Sequence, residues 1–293
     1  MTREEFLAEE FEEHRHHLKA VAFRMLGSAP EAEDAVQEAW IRLQRTDDDV
    51  IRNLGGWLTT AVARVSLDML RTRRARREEL VAEDRLPDPV VAREGGLDPE
   101  QEAMLADSIG LALLVVLETL TPAERLAFVL HDMFSVPFGE IGAIIDRSPD
   151  AARQLASRAR RRVRGAAPVP DPDLRRQREV VDAYLAAARE GRFDDLVALL
   201  DPDVVLRADG GPGIGSQTVR GVEQVAAQAV THAARAHFAQ PALVNGVAGF
   251  VVTGDGAPTV VAAFTVSGGR IVEMDFLADP ARLAALDLSD FGA

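Results

Sequence analysis

Six arginines lie between Ser148 and Gly165 against one acid, Asp150. Such a density of positive charge suits the neutralisation of phosphate. Ser148 suits an N-cap, Pro149 the first helical position and Gly165 a stop, so the residues predict a helix with both ends written in the sequence. Upstream, Phe138 to Arg147 reads as a shorter amphipathic helix followed by a tight turn. Two short helices, the second basic, describe a helix-turn-helix whose second helix enters the major groove. On that helix Arg153, Gln154, Ser157 and Arg158 are the candidates for contacts at base edges, and Arg161, Arg162 and Arg164 for phosphates. Arg160 could equally pair with acid from the protein body. The alternative is a solvated basic helix with no ligand.

The charge of the whole chain opposes general adhesion to nucleic acid, since the formal net charge of its 293 residues is -14. Residues 148–165 and 64–77 each hold six Arg against one Asp, a net +5 apiece, so the remainder carries -24. An acidic body with two basic segments attracts phosphate only where those segments are displayed, and two segments suggest two separate DNA contacts. Absence of cysteine excludes disulfides, thiolate metal sites and a cysteine nucleophile, and fits a reducing cytoplasm. The opening Met1 to Phe6 lacks the apolar core of a signal peptide, and the longest apolar run, Leu111 to Leu117, is too short to span a bilayer. A cytoplasmic protein without membrane contact is therefore expected.

The elements that must position these residues fall into three segments. From Phe6 to Arg77 the apolar positions recur at helical spacing, broken by Gly27 to Pro30 and by Asp47 to Gly56, which predicts three or four helices over 6–77. Residues 78–99 hold Leu86-Pro87-Asp88-Pro89, Gly95-Gly96 and Asp98-Pro99, a linker composition. A second helical segment covers 100–165, with Thr121-Pro122-Ala123-Glu124 fitting a capping box. A linker with three prolines follows at 166–172. Beyond Asp173 the pattern changes to a long helix to Glu190, a short one from Phe193 to Leu200, a strand at Val204 to Arg207 and a helix from Gly221 to Ala234. Strands are expected at 246–253, 258–267 and 270–277, joined by the hairpin signals Gly254-Asp255-Gly256 and Ser267-Gly268-Gly269. Residues 173–293 thus read as an α+β domain whose curved sheet wraps round a helix.

These residues carry a family resemblance. His17 to Trp40 resembles the second conserved region of bacterial sigma factors of the extracytoplasmic-function group, and the basic helix with its partner resembles the fourth region of the same proteins. The last third is similar to SnoaL-like domains of the NTF2 and ketosteroid-isomerase type, and the fusion resembles the ECF41 and SigJ-like sigma factors. The resemblance implies a multidomain chain, with two all-α sigma domains followed by an NTF2-like cone with a curved sheet. It also implies a promoter-specificity subunit, with core RNA polymerase and promoter DNA as partners, no catalysis of its own, no cofactor and no metal.

Asp34, Gln37, Glu38 and Ile41 share one helical face beside Val36 and Trp40 on the packed side. The resemblance implies that this face docks on core polymerase; a solvated acidic face is the alternative. It also implies that the loop at Asn53 and the helix from Trp57 to Arg71 open DNA at the minus-ten element. An unstacked base needs donors and an apolar wall, to which Asn53 and Arg64 are suited, with Arg71 on the same helix. Trp57 itself is expected to anchor the helical core. By the same resemblance the helix-turn-helix reads the minus-thirty-five element.

The last domain is expected to hold a pocket, open to a small-molecule ligand. Arg207, Asp209, His232, His237 and Asp275 are its polar candidates, though no spacing among them identifies a reaction. Asp209-Gly210-Gly211 resembles the DGGG-like loop of the ECF41 type, interrupted by Pro212. Ala278 to Leu283 resembles its NPDKL-like segment, and Arg85 to Pro89 its WLPEP-like segment with Arg for Trp. The resemblance implies regulatory contacts among Leu86, Pro87, Asp209, Asp279 and Pro280; ordinary turn chemistry is the alternative. Two other functions stay open: a DNA-binding regulator that never enters polymerase, and a C-terminal domain with isomerase or hydrolase activity.

Overall fold

A computed structural model describes residues 3–46, 51, 53–79, 86–93, 111–166 and 168–292. The polar loop at Asp47 to Asp49, Arg85, Gly95-Gly96, Asp98-Pro99 and the expected helical start at Glu100 lie outside the described residues. Contacts divide the chain into two units. Of the described residues, 3–79 and 116–166 belong to the first, and 86–93, 111–115 and 168–292 to the second.

The first unit begins with three helices, α1 (Arg3–Leu26), α2 (Ala29–Gln44) and α3 (Leu54–Glu79). Gly27, at φ 71, ends α1 in the left-handed region that glycine tolerates, and Pro30 starts α2. Leu18, Val21, Phe23, Val36, Leu58 and Val62 close the core of this bundle. Helix α3 continues past the expected linker start at residue 78, and the short strand β1 (Val91–Ala92) lies inside the expected linker.

The helix α4 (Leu111–Glu118) precedes α5 (Pro122–Phe128), which opens with the expected capping box: Glu124 N–H donates to the Thr121 hydroxyl at 3.3 Å, and Thr121 N–H to the Glu124 carboxylate at 3.1 Å. A π-helical turn at Val129–Met133 leads to α6 (Phe138–Ile144) and α7 (Pro149–Ala166). The turn between α6 and α7 closes on Gly142, where an added Cβ would stand 2.6 Å from the Arg147 carbonyl oxygen. Gly165 does not stop α7, which continues to Ala166, because a helical φ is as open to glycine as a left-handed one.

The second unit holds α8 (Leu174–Glu190), α9 (Phe193–Leu199), β2 (Leu200–Asp209), β3 (Ser216–Arg220), α10 (Val222–Thr231) and α11 (Ala233–Ala236). Strands β4 (Ala239–Val244), β5 (Val247–Gly254), β6 (Ala257–Ser267) and β7 (Arg270–Leu277) follow, then α12 (Pro280–Leu283) and a short 3-10 turn at Ser289–Phe291. With β1 the strands form one sheet in the order β1-β4-β5-β6-β7-β2-β3, antiparallel except for the β2–β7 pair. Its edges are β1 and β3, so the sheet is open and the expected cone is not closed by strand pairing.

Strands β3 and β4 were not expected. Ser216–Arg220 is largely exposed and polar, so no apolar alternation marks it. Strand β4 carries Pro241, which argues against a strand by itself, but Asn245 and Gly246, at φ 51 and 76, make the two-residue hairpin turn that pairs it with β5. Helices α8 to α11 cover one sheet face around Tyr184, Leu185, Leu206, Phe250, Phe264 and Met274.

Candidate functional site

On α2, Asp34 and Gln37 are exposed and Glu38 and Ile41 half-buried, while Val36 is buried and Trp40 stacks near Phe11 with ring centroids 5.0 Å apart. The polar stripe therefore faces solvent as one strip. Within it Glu38 accepts from Arg42 Nε at 3.0 Å, one turn on.

Asn53 caps α3, its Oδ1 accepting from Gly56 N–H at 3.2 Å, which fixes where the helix begins. Trp57 is half-buried rather than a core anchor, because Leu58, Ala61 and Val62 occupy the face of α3 that packs on the bundle. Arg64 is exposed, and its guanidinium donates to the Ala143 carbonyl at 3.3 Å, near the end of α6. Arg71 is exposed beside Asp68 at 3.4 Å.

Helix α7 buries Ala152, Leu155, Ala156 and Ala159. With 3.6 residues per turn, Gln154, Ser157 and Arg161 stand on the opposite arc, and all three are exposed. Arg153 leans back within the domain, 2.6 Å from Asp150 and with its guanidinium over the Phe138 ring at 5.4 Å. Arg160 pairs with Asp132 at 2.6 Å. Arg158 and Arg162 flank the other side, 3.9 and 3.3 Å from the buried Glu124. Burial alone would raise the Glu124 carboxyl, but the Thr121 hydroxyl and N–H, with Arg162 and Arg158, outweigh it and hold it below its ordinary value. Glu124 carries no sequence signal as a partner of the basic helix, since Arg158 and Arg162 lie 34 and 38 residues from it along the chain.

In the second unit the three suspected regulatory segments meet at Asp209. Its Oδ1 accepts from Gly211 N–H at 3.1 Å and from the Ser216 hydroxyl at 3.3 Å. Its Oδ2 accepts from Leu86 N–H at 3.2 Å and from Arg282 at 2.6 Å. Arg282, only 5% exposed, also donates to the Leu86 carbonyl at 2.6 Å and through Nε to Asp88 at 2.8 Å. Leu86 and Pro87 are buried. Asp279 caps α12, accepting from Ala281 N–H at 2.9 Å, and lies so near Gly211 that a Cβ there would sit 2.6 Å from its carboxyl carbon. Pro280 is exposed and starts α12. Further along the linker, Asn245 accepts from Val90 N–H at 2.7 Å and its own N–H returns to the Val90 carbonyl at 2.8 Å. Arg282, Asp88 and Asn245 were not among the expected contacts, although Asn245-Gly246 is a hairpin signal that could have located the last.

A cavity of about 340 Å³ opens between the sheet and α8, α10 and α11, lined by Leu206, Ala208, Phe250, Phe276 and other apolar groups. Side chains alternate along a strand, so Arg207 and Asp209, and their neighbours Glu273 and Asp275, point to the opposite sheet face. There Arg207 pairs with Glu273 at 2.8 Å and Asp275 at 2.9 Å. Burial pushes the Asp275 carboxyl up to about 6, against the lowering effect of Arg207. Of the polar candidates only His232 lines the cavity, and among the described residues no carboxylate lines it. Among the described residues no cluster of His, Asp or Glu could hold a metal ion, and no helix is long and apolar enough to cross a membrane.

Comparison with known proteins bears on both units. Residues 11–76 match the family model of sigma-70 region 2, and residues 110–163 that of sigma-70 region 4. The chain is similar to the ECF RNA polymerase sigma factor SigJ of Mycobacterium tuberculosis, 39% identical over 300 residues, covering 96% of this chain and 94% of that protein. A probable ECF RNA polymerase sigma factor, SigI of the same species, is 33% identical over 282 residues, covering 93% of each. The crystal structure of the Mycobacterium tuberculosis SigJ superimposes with a TM-score of 0.79 at 37% identity, over 96% of this chain and 99% of that one.

Proposed function

Because the chain belongs to the extracytoplasmic-function RNA polymerase sigma factors, we propose that its first unit joins core polymerase through the α2 stripe and reads promoter DNA through α3 and α7. The observation that carries this assignment of surfaces is that Asp34, Gln37, Gln154, Ser157 and Arg161 are all exposed, on helices whose other faces are spent on the core. Asn53, Arg64 and Arg71 serve the minus-ten element. Gln154 and Ser157, with Arg153 and Arg158 swung from their acids, meet base edges of the minus-thirty-five element, while Arg161 and Arg162 neutralise phosphates. It works with polymerase in the cytoplasm and performs no chemistry itself.

In this reading the second unit is a built-in regulator. Its hold on Leu86 to Val90 fixes part of the linker between the two DNA-reading domains, and that limits how they separate. Within the first unit Arg64 is drawn to the carbonyl of Ala143, so a residue offered to DNA is engaged by the helix-turn-helix. Promoter binding requires those contacts to open, and any partner that binds the open form better shifts the equilibrium toward it. The apolar cavity offers room for a small-molecule ligand.

Asp34→Lys with Glu38→Lys tests the core-binding surface, since Asp34 is exposed and Glu38, half-buried, pairs along its own helix with Arg42, so neither change enters the core of the bundle. Cosedimentation with core polymerase should fall at least tenfold while circular dichroism is unchanged. Undiminished binding by the folded variant would remove α2 from the assignment and move the core-binding surface elsewhere on the first unit, whereas a wild-type chain that does not sediment with core polymerase would favour a DNA-binding regulator that never enters polymerase.

A further inference from the structure

The cavity and the linker contacts share one loop. Gly210, Ile214 and Gly215 line the cavity on one side, and Ala278, next to Asp279, lines it as well. The loop closes on itself through Gly210 N–H to the Gly215 carbonyl at 3.0 Å and Gly215 N–H to the Gly211 carbonyl at 2.7 Å. Its conformation is fixed by Oδ1 of Asp209, whose other oxygen holds Leu86 and Arg282. One carboxylate therefore ties the cavity rim to the linker.

The lining also defines a ligand. Its walls are apolar, its volume of about 340 Å³ suits a molecule of modest size, and its polar side groups include Gln217, Gln228, His232 and Arg235 but, among the described residues, no carboxylate. Arg235 is exposed, so its cation stands where a ligand's head would meet solvent. Ile214 is 81% exposed beside the cavity and would gain an apolar partner when it is filled.

We propose that this cavity binds one small amphiphile with an apolar body and an anionic head, and that its occupancy tightens the hold of Asp209 and Arg282 on the linker. The proposal rests on the reading of the second unit as a regulator that acts through the linker. The rim contacts exist in the conformation where Asp209 is engaged by Leu86 and Arg282, so a ligand touching that rim binds the engaged form in preference. Linkage is reciprocal: the ligand binds the form with the linker released more weakly than the engaged form, by the factor with which it tightens the linker.

The test uses the full-length chain with decanoate, and with decyltrimethylammonium as the probe of opposite charge. Calorimetry should give saturable one-to-one binding of decanoate, about tenfold tighter than the ammonium, or about 1.4 kcal/mol. Hydrogen exchange at the Leu86 and Val90 amides should slow when decanoate is added. Ala229→Trp should fill the cavity and abolish binding, and Arg235→Glu, an exposed change that spares the fold, should reverse the preference between heads. Arg282→Ala, which does not line the cavity, should weaken decanoate, by no more than the factor with which decanoate slows exchange at Leu86 in the wild type. Absence of saturable binding, equal binding of both heads, or bound decanoate with unchanged exchange at Leu86 and Val90 would overturn the proposal. If Arg282→Ala leaves Leu86 exchange unchanged without any probe, the regulatory reading fails with it; if that amide loosens and decanoate still does not bind, the ligand proposal alone fails.

Discussion

Arg282→Ala is the most informative single change, because one buried guanidinium serves Asp209, the Leu86 carbonyl and Asp88 together. Its removal leaves the Asp209 side chain, 4% exposed, without its cation, and a buried charge deprived of its partner costs about 3–5 kcal/mol. Asp88, 23% exposed, recovers water and adds little. Contacts at Asn245 and the pairing of Val91 and Ala92 with β4 remain, so the linker keeps a second anchor. At about 1.4 kcal/mol per factor of ten, the lower bound of 3 kcal/mol is about two decades in the equilibrium for local opening. Amide exchange in the native protein measures that equilibrium: the Leu86 amide should exchange about 100-fold faster, and Val90 should follow by a smaller factor. Amides of β5 and β6 should change less, since their ladders do not involve Arg282. Arg282→Lys should fall between, because a single ammonium cannot reach three acceptors in the geometry of the planar fork. Equal exchange at Leu86 in the wild type and in Arg282→Ala would refute the idea that this cluster holds the linker.

Other outcomes follow from the same geometry. Arg161→Ala should weaken binding to all promoter sequences alike and reduce the salt slope by roughly one, whereas Gln154→Ala should cost about 1–3 kcal/mol only at particular bases; a sequence preference altered by Arg161 would show the arc to be misplaced. Thr121→Ala should destabilise the first unit by about 1 kcal/mol in urea, as it removes a cap and one of the bonds that keep Glu124 charged. Asp275 has a folded pKa of about 6 against an ordinary 3.8, so the folded protein binds the extra proton and its contribution to stability falls as pH rises from about 4 to about 6. The melting-temperature difference between wild type and Asp275→Asn should therefore shift against the wild type over that window, and a difference independent of pH would refute the assignment.

Local chemistry made much of this molecule legible. The capping box at Thr121, Pro149 at the start of α7, and the Asp255-Gly256 and Gly268-Gly269 turns each act over a few residues, so their geometry follows from residue type. The α2 stripe was readable because helical period fixes which residues share a face. Strands β3 and β4 were not, since one is polar and exposed and the other contains a proline; each exists because a neighbouring strand completes its hydrogen bonds. The same limit applies to Arg207, Asp209 and Asp275, which look like pocket residues by type. Strand parity turns them to the other face, and the start of β2 at Leu200, with a bulge before Val205, shows how little of that parity is local.

The sequence by itself determined the longer helices, several of their caps, the two basic segments and the order of the domains, because propensity, period and charge are properties of neighbouring residues; the stop at Gly165, the break of 221–234 into α10 and α11, and α12 were not among them. Tertiary structure alone decided which arginines of α7 are spent on Glu124 and Asp132, which sheet face holds the cavity, and that Arg282 joins Asp88 to Asp209 across 194 and 73 residues of chain. Those pairings depend on burial and on the approach of distant segments, and a charge's partner is set by distance in space, to which separation along the chain is no guide.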